Sequence, residues 1–374
     1  MSIPPYLVAG AIALVVTYAI AYEMRWLAQR LGAVAPPGGR HIHTRPVPRL
    51  GGLAVCGGIL AALAVTLPVD QPVALVRESR YLVLAVPYRA VPAPLVGVLL
   101  GAVAVTLLGA VDDLRALPGR VKFPLIYLAA SVPVWFGVTT PFVTHPLGGQ
   151  VVPLGWAGAV FTVFWLGSMA IAVNSIDGVD GLAPGVAAIT GATLLSAAAH
   201  RADGVTMTLA ASVVGASVGF LRHNFNPARI FLGDSGSMLL GYLLGVSAVL
   251  GLAKTATVLS MMVPVLALAL PILDTGYAIV RRARRGVSIF LPDREHLHHR
   301  LLDRGLSQRQ VVLVLWLLSA VCGLGGLALA GVGRGRSLAM LAAIAALLVV
   351  LAWRWRLLRV QRPAPGLSGP ADVH

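Results

Sequence analysis

Stretches of about 17–25 apolar residues are long enough to cross a bilayer as helices. This chain has eleven, at about 3–22, 51–68, 92–111, 123–140, 153–173, 183–199, 205–221, 236–252, 256–279, 311–331 and 337–353. Such a pattern leaves too little polar surface for a water-soluble domain. Only 11% of the residues are charged, where soluble domains carry about 25%. The expected fold is therefore an all-α polytopic membrane protein with about eleven transmembrane helices. Residues 1–355 would form one domain, with polar loops at 23–50, 112–122, 174–182, 222–235 and 281–310. Residues 356–374, basic and then rich in Pro, Gly and Ser, read as a disordered tail.

The net charge of +15 would suggest nucleic acid on a soluble protein. Here the arginines lie between apolar runs, so membrane orientation is the better reading, and no nucleic-acid partner is expected. The run at 3–21 has no positive charge before it and Arg25 and Arg30 after it. That reads as a first span with its N-terminus outside. Alternating the connections then places 22 Lys and Arg on the cytoplasmic side and 7 outside, as the positive-inside rule requires. The segment 69–91 reads as an external loop with an interfacial helix. Cys56 and Cys322 fall inside apolar runs and read as packing residues.

The chemically able side chains collect on the predicted cytoplasmic side, a distribution that suits an enzyme at that face better than a transporter with charges at mid-bilayer. The central stretch is Asn174-Ser-Ile-Asp177-Gly-Val-Asp180-Gly-Leu182. A spacing of three and three would put Asn174, Asp177 and Asp180 on one helical face. Gly178 and Gly181 signal a bend or a close approach. Oxygen-rich side chains there suit a hard cation such as Mg²⁺ and a phosphate-bearing ligand. Adjacent Asp112 and Asp113 end an apolar run and suit metal coordination or general-base work. Arg45 and Arg49 lie in a proline-stiffened loop before Gly51-Gly52, placed to bind phosphate. In Asn224-Phe-Asn226 through Phe231-Leu-Gly-Asp234-Ser-Gly, Asp234 or Ser235 can cap the eighth helix, and Phe231 can stack on a base. His296, His298, His299 and Arg300 can bind a pyrophosphate or a transition metal, anion contacts being favoured. Gly241 and Gly245 have the spacing of a close helix contact or a homodimer face.

Pro-Arg-Leu-Gly-Gly (48–52), Asp112-Asp113, Asn174-x-x-Asp177-Gly-x-Asp180-Gly-Leu, Phe231-Leu-Gly-Asp234-Ser-Gly, Pro271-Ile-Leu-Asp274-Thr and His296-Leu-His-His-Arg300 occur in that order. The set resembles the polyprenyl-phosphate N-acetylhexosamine-1-phosphate transferases over about residues 3–355. Pro-Arg-Leu-Gly-Gly and His-x-His-His point to the bacterial GlcNAc-1-phosphate branch rather than the phospho-MurNAc-pentapeptide branch. The resemblance implies transfer of GlcNAc-1-phosphate from UDP-GlcNAc to undecaprenyl or decaprenyl phosphate, with release of UMP, to initiate a wall-teichoic-acid, arabinogalactan or O-antigen-type glycan. It implies Mg²⁺, with Mn²⁺ as a substitute, held by Asn174 and Asp234. Asp112, Asp113, Asp177 and His298 would be catalytic. Arg45, Arg49, Asp180, Asn226, Phe231, His296, His299 and Arg300 would bind substrate. The expected location is the bacterial plasma membrane, with the active site and C-terminus cytoplasmic. A cation-coupled transporter is the reading from another class.

Overall fold

The computed structural model describes residues 3–36, 46–66, 83–86, 89–144, 151–252, 258–288 and 295–331. Within them the chain forms α1 (Pro5–Arg30), α2 (Gly51–Thr66), α3 (Ala93–Leu114), α4 (Gly119–Trp135), α5 (Trp156–Ile176) and α6 (Leu182–His200). It continues through α7 (Gly204–Asn224), α8 (Gly233–Leu252), α9 (Val258–Ala267), α10 (Ala269–Arg284), α11 (Leu297–Leu302) and α12 (Gln308–Gly331). Three antiparallel hairpins interrupt the helices: β1 (Val34–Ala35) with β2 (Val47–Pro48), β3 (Val83–Val86) with β4 (Arg89–Pro92), and β5 (Phe142–Thr144) with β6 (Val151–Pro153). The eleventh apolar run, the tail and Arg45 lie outside the described residues.

Seven of the described helices are long and apolar enough to cross a membrane. Nine of the predicted spans coincide with single helices. The ninth, 256–279, is instead split at Leu268 into α9 and α10. Pro271 has no N–H to give the carbonyl of Ala267, so the helix cannot run straight through. The Thr190 hydroxyl donates to that carbonyl at 2.8 Å, which satisfies it inside the bundle. The interfacial helix expected within 69–91 falls largely on residues 69–82 and 87–88, which lie outside the described residues. Among its described residues the chain makes the β3–β4 hairpin, with Val83 opposite Pro92 and Val86 opposite Arg89; β-branched valines favour the pleated backbone.

Helix α8 is the axis of the bundle. Leu240, Tyr242, Leu243 and Leu244 are all fully buried, so it is covered on every side, as a helix apolar all round must be. It packs against α3 and α5. Gly241 and Gly245 both face α5, at Met169 and Leu166, so this pair is used for packing within the chain and gives no argument for a homodimer. Helix α1 is peripheral. It buries Ala9, Ala13, Thr17 and Ala21, one turn apart, against α2 and α7. Its opposite face exposes Leu7, Leu14, Tyr18, Tyr22 and Trp26. Small residues inside and large apolar ones outside is the arrangement for a lipid solvent. Trp135 and Trp156, at the end of α4 and the start of α5, are 85% and 82% exposed, as expected of residues at a membrane–water boundary. The protein is a multi-pass membrane protein.

Candidate active site

The two motifs that begin α2 and α8 meet through their backbones. Phe231 N–H donates to Pro48 O at 2.8 Å, Gly51 N–H to Phe231 O at 3.0 Å, and Gly52 N–H to Leu232 O at 2.8 Å. This short pairing fixes the entrance of α8, where Gly233 takes φ +71°. A side chain at Gly233 would strike the Asp113 carboxylate and be strained besides.

Asp113, at the end of α3, accepts the N–H of Asp234 at 2.9 Å, the N–H of Ser235 at 3.1 Å and the Ser235 hydroxyl at 2.8 Å. It is thus the cap of α8, supplied by a different helix. This corrects the expectation that Asp234 or Ser235 caps α8: α8 begins at Gly233, and both lie in its first turn. Held in this way, Asp234 accepts the Asn174 amide at 2.8 Å; the same amide donates to Ser237 at 2.9 Å. The ammonium of Lys122, from α4, forms an ion pair with Asp234 and another, at 3.0 Å, with Asp112. Asp112 also accepts the Leu117 N–H at 2.7 Å.

The central motif is not one helical face. Helix α5 stops at Ile176 and residues 177–181 form a turn. Gly181, at φ +84°, then admits α6. Asn174 therefore projects from a helix, and Asp177 and Asp180 from the turn beyond it. The turn is tied to the end of α7 and the segment after it. Asn224 accepts the Gly181 N–H at 2.9 Å and donates to Ile230 O at 3.0 Å. Asp180 accepts the Asn226 amide at 3.1 Å and the Ala228 N–H at 3.0 Å. Asn226 also donates to Gln308 at 2.7 Å.

Around these groups lies a cavity of about 300 Å³, lined by Arg49, Asp113, Asp177, Asp180, Phe231, Asp234, His299 and Gln308 among others. Asp177 is half-buried at its wall, and its carboxyl is held well above the usual range, first by burial and then by the charges of Asp234, Asp113 and Asp180. His298 is 2% exposed, and burial, aided by His299, pushes its pKa down to about 3. Its Nε2 has no hydrogen-bond partner and lies so close to Gly178 that a side chain there would strike the ring.

The structure thus brings Arg49, Asp113, Asp177, Asp180, Phe231, Asp234 and His299 to one cavity, with Asn174, Asp112 and His298 bonded or packed behind them. Three residues expected to bind substrate are absent from its lining. Asn226 is committed to Asp180 and Gln308. His296 is paired with Asp274 at 2.8 Å. Arg300 donates to the backbone of Glu295 at 3.0 Å and lies 5.2 Å from the Tyr277 ring. Sequence reasoning missed Lys122, Gln308 and Ser237. Lys122 had a signal: 27 of the 29 basic residues are arginine, so a lysine after an acidic pair stands out.

The oxygen-donor chemistry fits a hard divalent cation. Several carboxylates face one cavity, and burial together with the charges of Asp234, Asp113 and Asp180 holds the Asp177 carboxyl up despite Arg49. Among the described residues no three His, Cys, Asp or Glu side chains form a ready-made metal cage.

Fold and site together define a polytopic helical membrane protein with a carboxylate-lined cavity at one end of its bundle. Residues 95–252 match the model of the family described as glycosyl transferase family 4. The chain is 34% identical over 314 residues to the probable undecaprenyl-phosphate N-acetylglucosaminyl 1-phosphate transferase of Bacillus subtilis (strain 168), covering 84% of this chain and 82% of that protein. It is 37% identical over 337 residues to the decaprenyl-phosphate N-acetylglucosaminephosphotransferase of Mycobacterium tuberculosis (strain ATCC 25618 / H37Rv), covering 84% and 80%. Similarity to the phospho-N-acetylmuramoyl-pentapeptide-transferase of Enterococcus hirae is 31% over 207 residues, 55% of this chain and 60% of that one. The chain belongs to glycosyl transferase family 4.

Proposed function

We propose that this protein transfers GlcNAc-1-phosphate from UDP-GlcNAc to a polyprenyl phosphate, undecaprenyl or decaprenyl, at the cytoplasmic face of the bacterial plasma membrane. The observation that carries the proposal is the meeting of Asp113, Asn174, Asp177 and Asp234, from three separated stretches of sequence, beside one cavity at a single end of the bundle. The similarity to polyprenyl-phosphate GlcNAc-1-phosphate transferases extends over far more of the chain than the similarity to the pentapeptide enzymes, which favours UDP-GlcNAc as donor.

An acceptor phosphate oxygen attacks the β-phosphorus of UDP-GlcNAc in line. The bond from that phosphorus to the bridging oxygen breaks, and UMP leaves with the bridging oxygen. Such a transfer needs positioning and charge neutralisation more than covalent chemistry. A phosphate monoester has a second pKa of about 6, so most acceptor is already dianionic at neutral pH and a base at Asp112 adds little. Asp234 and Asn174, with Asp177 nearby, would hold Mg²⁺ or Mn²⁺. Such an ion would supply charge neutralisation to the phosphoryl transfer. Lys122 neutralises Asp112 and Asp234 and orients both. Asp113 fixes the first turn of α8, and so fixes Asp234. Arg49 offers a guanidinium to phosphate oxygens, Phe231 a ring face to uracil, and His299 a hydrogen bond to phosphate or sugar. The buried His298 stays neutral at pH 7 and can accept or donate at Nε2.

The test is UMP release by the purified protein in lipid nanodiscs, with polyprenyl phosphate and either UDP-GlcNAc or UDP-MurNAc-pentapeptide. UDP-GlcNAc should be the substrate, Mg²⁺ should be required, and Asp234→Ala should abolish turnover. Release from the pentapeptide donor alone would move the protein to the other branch. Solute flux with no UMP would make it a transporter.

A further inference from the structure

The site described above leaves Asp274 without a role. It lies in α10 with its side chain 6% exposed, and it does not line the cavity. Both of its oxygens reach the same distant segment. Oδ1 accepts the N–H of Leu297 at 2.8 Å, and Oδ2 accepts Nδ1–H of His296 at 2.8 Å. Leu297 is the first residue of α11, and His296 before it gives α11 no side-chain cap. The carboxylate of one helix thus caps another and grips the ring that precedes it.

The grip has consequences along the segment. Helix α11 has six residues, too few to hold a helical turn unaided. The His298 ring lies parallel to that of His296, within 3° and with centroids 5.8 Å apart, and the His299 ring is 4.3 Å further on. His298 is the group packed over Gly178, and His299 lines the cavity. A continuous line of contacts therefore runs from Asp274 through His296 to the two histidines against the 177–181 turn.

We infer that Asp274 is a positioning residue, which acts through His296 and the first turn of α11 to set His298 and His299 against the active-site turn. The rate part of its test rests on the reaction proposed above; the exchange part does not.

Two measurements test it, on the full chain in lipid nanodiscs. The first is hydrogen exchange over residues 295–302 without substrate. Asp274→Ala should speed exchange there by about tenfold or more, as for a segment that has lost its tether, and exchange in α12 should not change. Asp274→Asn, which keeps an acceptor for Leu297, should lie between. Unchanged exchange over 295–302 in both variants overturns the inference. The second is a double-mutant cycle on UMP release with Asp274→Ala, His298→Ala and the pair. Each single change should lower kcat/KM by about 10- to 100-fold. The pair should fall no more than about threefold below the worse single variant. Losses that multiply would show that Asp274 does not act through His298, whatever its effect on folding. Should the wild-type protein release no UMP from UDP-GlcNAc, the proposed reaction fails and the exchange result still decides the role of Asp274.

Discussion

Replacing Asp113 separates a structural carboxylate from a chemical one. It accepts three hydrogen bonds from the first turn of α8 and is 8% exposed. Hydrogen bonds to an ionised acceptor contribute about 1.5–3 kcal/mol each, so their sum is an upper limit. Relief of repulsion with Asp234 and Asp177 offsets part of it, and loss of an N-cap alone costs about 1–2 kcal/mol. Asp113→Ala should therefore destabilise by about 2–4 kcal/mol. Asp113→Asn keeps the shape but points an NH₂ at an N–H donor, and should cost about 1–2 kcal/mol. Ser235→Ala removes only the hydroxyl bond and leaves Oδ2 the Ser235 N–H, so it should cost about 1 kcal/mol, less than a full bond to a carboxylate. Thermal unfolding of the purified protein orders the three variants, and UMP release per folded molecule gives their rates. If Asp113 works by holding α8, stability and rate should fall together in the order Ser235→Ala, Asp113→Asn, Asp113→Ala. An Asp113→Asn protein of wild-type stability and no activity would refute the argument and return Asp113 to the chemistry.

Gly178→Ala puts a methyl group into the His298 ring, so kcat/KM should fall by about 100-fold for a displacement of this kind; wild-type kinetics would mean that the ring is free to move. Lys122→Met leaves Asp112 and Asp234 without their shared ammonium, so half-maximal activity should need less Mg²⁺ while kcat falls, and a Mg²⁺ titration of UMP release reads both. His298 has a folded-state pKa of about 3 against about 6.5 unfolded. The unfolded chain therefore binds the extra proton between these values, and stability is lost as pH falls below about 6.5, by about 2 kcal/mol at pH 5. His298→Gln should lose less between pH 7.5 and 5 in thermal unfolding, and an identical loss would assign the acid sensitivity elsewhere. Chelation with EDTA should weaken UDP-GlcNAc binding as measured by calorimetry, with Mg²⁺ restoring it; equal affinity in both conditions would count against a cation-bridged donor.

Much of the bundle was legible because bilayer thickness dictates the length of an apolar run, a constraint that acts along the sequence itself. The ninth run failed because hydropathy does not register a missing N–H: Pro271 is apolar enough to belong to a span and still breaks it. The gathering of polar motifs at one end was also legible, since alternating spans return every second loop to the same side. What each polar residue does there was less so. Asn174, Asp177 and Asp180 have helical spacing, but the glycines between and after them end the helix within the motif. Asp113 reads as one of an acidic pair beside Asp112, yet the two carboxylates point to different elements, one to α8 and the other to Lys122. Only tertiary structure separates them, because the donors lie 121 and 10 residues away in sequence.

That separation bears on how the site manages its charge. Five carboxylates surround it, but they are not equivalent. Asp113 and Asp180 are bonded to backbone N–H groups and fix the position of α8 and of the 177–181 turn. Asp112 is held by Lys122 and a backbone N–H. Asp177 and Asp234 remain at the cavity wall, with Lys122 shared at Asp234 and Arg49 facing the same space. A pyrophosphate donor and a phosphate acceptor both bring negative charge to a wall that is itself negative. At a few ångströms that repulsion is worth several kcal/mol even at a moderate effective dielectric. Lys122, already committed to two aspartates, and Arg49 together fall short of the five carboxylates and cannot offset it. The arrangement therefore makes sense when positive charge arrives with the donor. The protein's own share of the work is to hold two carboxylates and an amide at fixed positions, through hydrogen bonds that run from α3 and α4 into the first turn of α8.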